Sequence, residues 1–124
     1  MYVALFALMV SLLFVHEMDA VRTKEWKMLI LLKDMSYEKA YRIFTALHVP
    51  LYFVVAAVMI ANDVSTGNVF TYALGCFLIA HAAIRFLFRR KADNGFTSLF
   101  SKAIIYSLGT LAAIYLCLVV TGTM

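Results

Sequence analysis

At 124 residues, 65% of them hydrophobic and with a mean hydropathy of +0.90, the chain is too apolar for an ordinary soluble domain. It is also too short for a second folded unit beside a membrane bundle. The net charge of +4 does not point to nucleic acid, because the Lys and Arg residues flank the apolar runs, where positive-inside topology puts them.

Runs that cross a hydrocarbon layer about 30 Å thick must be helical, since isolated strands would leave backbone groups unsatisfied in lipid. The expected class is therefore an all-α membrane protein. Its predicted form is an up-down four-helix transmembrane bundle in a lipid bilayer, a single transmembrane domain over residues 1–124.

The first span is expected over about 2–20. No basic region precedes it and no small-residue cleavage site follows it, so it reads as a retained span rather than a signal peptide. Ala7 and Ser11, four apart, suit close helix packing. A charged stretch over 22–34 follows, with Trp26 and Met28-Leu29-Ile30-Leu31-Leu32 as its apolar part. Too short to span, it predicts a short amphipathic helix in the interface, with Trp26 at headgroup level.

Ser36 is a suitable N-cap for the second span, 36–62, with Glu38 placed for the helix dipole. Pro50 removes a backbone donor and predicts a kink near His48. Asn62-Asp63 and Ser65-Thr66-Gly67-Asn68 read as a tight polar turn. The third span, 69–89, runs into Arg89-Arg90-Lys91, and Asp93-Asn94-Gly95 makes a second turn. Thr97 or Ser98 can cap the fourth span, 98–121, in which Gly109 and Ala113 allow close packing. Cys76 and Cys117 lack CxxC spacing and read as two reduced, buried thiols.

Every Lys and Arg lies in or beside the first and third connections. The positive-inside rule then puts those connections in the cytoplasm and both termini outside. Short connections make sequential helices neighbours.

The chemistry-bearing residues gather at the basic end. Its three histidines, His16, His48 and His81, all fall near that face, beside Glu17 and Asp19. At 1.5 Å per residue, His48 lies about 8 Å beyond Ile43, and His81 about 6–10 Å before Arg85 and Phe88. Tyr41, Thr45, His48 and Tyr52 follow spacings of four, three and four, a polar stripe that lipid would penalise. His16 and Asp19 share a face, while Glu17 points about 100° away and serves a different partner.

Three readings of this cluster stand side by side. One is a divalent-metal site of His16, His48 and His81 with Glu17 or Asp19, suited to Zn, or to Fe or Mn with more carboxylates. An open position on such a metal would activate water for hydrolysis. No HExxH is present. The second, from a different class, is a non-catalytic protein whose polar cluster fixes packing or partner binding. There Glu25, Glu17 and Asp19 pair with cations such as Arg22 or Arg85, and the histidines bond to tyrosines. The third is b-type haem held by two histidines. A homo-oligomer or a membrane protein partner is compatible with the small-residue faces.

HEMDAVRTKEW at His16–Trp26, HVPL at His48–Leu51 and the lone third-span His81 resemble a family of small bacterial four-span integral membrane proteins of unknown function. The resemblance covers nearly the whole chain. It implies a multi-pass protein of the bacterial inner membrane and marks His16, Glu17, Trp26, His48 and His81 as the family's polar positions. It implies no activity.

Overall fold

The computed structural model describes residues 2–61, 68–88 and 98–122. The polar turn around Asp63, the basic run Arg89-Arg90-Lys91, Asp93-Asn94-Gly95 and Thr97 lie outside the described residues, as do the ends at 62 and 89 predicted for the second and third spans. Four α-helices occur among the described residues: α1 (Tyr2–Arg22), α2 (Tyr37–Ala61), α3 (Val69–Leu87) and α4 (Leu99–Thr121). Each is long and apolar enough to cross a membrane. No strand occurs among the described residues.

Local chemistry sets the ends. Asn68 and Thr71 form a reciprocal capping box at the start of α3, with the Asn68 Oδ1 accepting from the Thr71 N–H at 3.0 Å. Ser98 Oγ accepts from the Ser101 N–H at 3.0 Å and opens α4, as its place in the sequence predicts. Gly122, in the left-handed region at φ 59°, closes α4. At the start of α2 the Ser36 carbonyl accepts from the Ala40 N–H at 2.9 Å. Pro50 lies inside α2, which runs on through it as one helix.

α4 packs between α1 and α3. Phe6, Met9, Val10 and Leu13 of α1 meet Leu74 and Leu78 of α3 across Ile105, Leu108, Ala112 and Tyr115 of α4. Two glycines set the α3–α4 approach. A Cβ on Gly109 would lie 2.7 Å from that of Ala82, and one on Gly75 would lie 2.8 Å from Leu116 Cγ. Ala7 and Ser11 are exposed, and the Ser11 hydroxyl donates to the Ala7 carbonyl, so that pair serves no interface between the described helices. Cys76 and Cys117 are free but exposed rather than buried, on outward helix faces.

α2 is peripheral. It buries only Ala40, Phe44 and Val55, and rests on α1 and the connection before it. α2 and α3, consecutive in the chain, share no substantial interface. In place of an amphipathic helix over 22–34, the connection holds one 3-10 turn, Glu25–Met28, and then turns up to Met35. The reason is local: Lys24 adopts φ 58°, ψ 47°, a left-handed conformation that reverses the chain after α1 and ends helical propagation.

Candidate functional site

The core stripe of α1 does not end in an apolar residue. Phe6, Met9, Leu13, His16 and Ala20 follow spacings of three, four, three and four, and all are buried. His16 therefore sits where the packing pattern calls for a core residue and is fully buried. The α3 stripe behaves alike: Thr71, Leu74 and Leu78 lead to Arg85, 6% exposed, with His81 half-buried beside it. Packing on α4 brings these two stripe ends together. His16 Nε2 and His81 Nε2 stand 2.9 Å apart, with the rings edge-on at 66°. One nitrogen must donate and the other accept, so the two imidazoles share a single proton along that line. Phe77, one turn earlier on α3, stacks on the His81 ring at 5.7 Å.

Glu25 joins the pair through the reversal at Lys24. Trp26, 2% exposed, packs against Tyr37, Tyr41 and Phe44 with ring centroids 5.6–6.0 Å away. It clamps the 3-10 turn on α2. Lys24 caps the same aromatic group, its ammonium 5.0 Å from the Tyr37 ring centre. The clamp turns Glu25 inward, where its carboxylate makes a direct ion pair with Arg85 and its Oε1 lies 3.8 Å from His16 Nε2. Arg85 also donates to Met28 Sδ. One ligand atom each from His16, Glu25 and His81 lies within 4.8 Å of the others.

The remaining predicted residues fall elsewhere. Asp19 is engaged by Arg22 at 2.8 Å, and Arg22 also donates to Ser101 Oγ of α4 at 3.3 Å. His48 and Glu17 form a second centre, with Nε2 and Oε2 2.8 Å apart, outside the group of ligand atoms that His16, Glu25 and His81 bring together. The His48 Nδ1–H donates to the Phe44 carbonyl at 2.7 Å, so its Nε2 and the Glu17 carboxylate share the remaining proton. Phe44 and Tyr52 flank the His48 ring, and Phe14 meets Tyr52 at 4.9 Å. Of the predicted polar stripe on α2, Tyr41, His48 and Tyr52 are half-buried, whereas Thr45 is exposed. The inward face of α2 is instead centred on Ala40, Phe44 and Val55.

These contacts decide what the arrangement can do. Tetrahedral coordination with bonds of about 2.0–2.1 Å places two ligand nitrogens about 3.3 Å apart. The His16–His81 pair needs to open by only a few tenths of an ångström to reach that spacing. Glu25 keeps lone pairs beyond its contact with Arg85, since a carboxylate offers about four acceptor directions. Bis-histidine haem does not fit here. A porphyrin must lie between its two axial rings, and His16 and His81 are too close to admit one. A cavity of about 500 Å³ opens beside the cluster, with Glu25, His81 and Arg85 in its wall.

Glu25 as a neighbour of both histidines was not legible from spacing, because it depends on the reversal at Lys24. Sequence reasoning found it only as a charge in need of a cation.

The chain belongs to the family of unknown function DUF6713, whose model matches residues 2–122. That agrees with the uncharacterised family expected from the motifs at His16–Trp26 and His48–Leu51. No curated protein and no solved structure matches the chain.

Proposed function

We propose that this chain is a four-span, up-down bundle of the bacterial inner membrane, a single transmembrane domain with both termini outside the cytoplasm. We propose further that His16, His81 and Glu25 hold a divalent metal ion at its cytoplasmic end. One observation carries the metal reading: three separate elements bring two imidazole nitrogens and a carboxylate oxygen within 4.8 Å of one another at a buried position. Two His and one Glu suit zinc with an open fourth position, and the same set serves Fe(II) as a facial triad with open positions.

The ligand set is narrower than the sequence suggested. Asp19 is held by Arg22 and Glu17 by His48, which leaves Glu25 as the oxygen ligand. Because His81 and Glu25 border the cavity, the fourth position would face it. A water bound there would be acidified into a nucleophile, and Arg85 stands where it can stabilise anionic charge on a substrate. The reaction class is hydrolysis of a substrate reached from the membrane.

The test is zinc, iron and manganese content by elemental analysis after loading and dialysis of detergent-purified protein. About one equivalent in the wild type, lost in Glu25→Gln, is the expected result. Wild-type protein that retains none of the three metals contradicts the reading. A second reading rests on the Arg85–Glu25 ion pair, which already neutralises the carboxylate. The cluster would then fix helix packing, and Glu25→Gln would lower stability with no metal to lose.

A further inference from the structure

The cavity beside Glu25 lies between the first connection and the last turns of α3, and its wall is strongly two-sided. Lys27, Lys33 and Arg85 supply three cationic groups against one acid, Glu25, and Glu25 is already paired with Arg85. Among the described residues neither lysine is ion-paired, and both are exposed. The rest of the wall is mostly apolar and includes Ile30 of the connection and Ile84 and Phe88 at the end of α3. At about 500 Å³ the volume falls in the range of small-molecule sites.

A second observation points to what fills it. Leu29, Ile30 and Leu31 are consecutive and 44%, 81% and 82% exposed, a run of aliphatic surface whose first two residues line the cavity. Water would penalise that run, whereas the headgroup–acyl boundary of a bilayer accepts it. Lysines on either side of it, at positions 27 and 33, then lie at the depth of the phosphates. A soluble anion would need only the lysines. A lipid uses both the cations and the apolar wall.

We infer that this cavity binds one anionic phospholipid, its phosphate between Lys27 and Lys33 and the start of an acyl chain against Ile30, Ile84 and Phe88. A basic pocket between spans, open to its leaflet, is a known way for helical membrane proteins to hold such headgroups. The site adjoins the proposed metal position and does not depend on it: no wall residue needs a cation bound to make these contacts.

The experiment is native mass spectrometry of the metal-stripped full chain, exchanged into detergent with equal phosphatidylglycerol and phosphatidylcholine, beside the Lys27→Ala/Lys33→Ala double variant. Both lysines are exposed, so the variant leaves the packed core intact. The expected result is one retained phosphatidylglycerol, its retention falling about 25-fold in the variant, at roughly fivefold per lysine. Equal retention of the two lipids, or unchanged retention in the variant, overturns the inference. So does full displacement of the lipid by millimolar inorganic phosphate, which would mark a site for a free anion. With metal removed beforehand, a failure here says nothing against the metal reading, and a failed metal titration leaves this result standing.

Discussion

The two histidine centres lie at the same end of the molecule and are built in opposite ways. His16 and His81 continue the core stripes of helices that clasp α4, and His16 is fully buried. His48 sits on the peripheral α2, half-buried, and is held by one carboxylate, one backbone carbonyl and aromatic edges. The first centre is therefore positioned by helix packing that exists without it. The second is itself part of what ties α2 to α1. The difference teaches that a polar residue continuing a core stripe is placed by the helices around it, whereas one at a peripheral contact does part of the placing.

Breaking the Glu25–Arg85 pair should have the largest effect. Glu25→Leu or Arg85→Leu alone leaves a buried charge without its partner and should cost about 3–5 kcal/mol, while the double replacement recovers most of it. Midpoints of denaturant-driven unfolding in mixed micelles measure all three. A double variant as unstable as the singles would show that the pair does not act as a unit.

Gly109→Ala comes next, because the Ala82 Cβ it would meet cannot rotate away and α3 must shift. The expected cost is about 1–3 kcal/mol. The His16–His81 contact should separate as α3 moves, while His48 keeps Glu17. Histidine ring NMR would show the first pair perturbed and the second unchanged. Equal perturbation of both would erase the distinction between the centres.

The smallest effect belongs to α2. Glu17→Ala should cost about 0.6 kcal/mol, the average for an interhelical polar contact in a bilayer. Glu17→Gln should restore it, since its amide N–H can donate to His48 Nε2 while Nδ1–H still serves the Phe44 carbonyl. Unfolding midpoints of the two variants decide this. A loss several times larger for Glu17→Ala would make α2 as integral as α4.

Much of the helical framework was legible in the sequence, since the four helices follow the apolar runs. Ser98 as a cap and Gly109 as a close approach were equally readable, from hydroxyl chemistry and the missing side chain. Helix neighbourhood was not. α2 and α4 have the same hydropathy, yet α4 is central and α2 peripheral, and nothing in a hydropathy profile distinguishes them.

The site was half legible. Depth alone brought His16, His48 and His81 to one end, and the helical angle correctly sent Glu17 to a partner other than His16. Depth could not separate His48 from the other two, because that depends on which face of α2 meets α1. Nor could it bring in Glu25, whose approach rests on one left-handed residue, Lys24, with no glycine or asparagine to announce it.

The most direct test of the two-centre account is metal content, by elemental analysis after zinc loading, of His81→Ala beside His48→Ala. The account predicts about one equivalent retained in His48→Ala and none in His81→Ala. Loss in both would join the three histidines in one site, and retention in both would remove the metal from the His16–His81 centre.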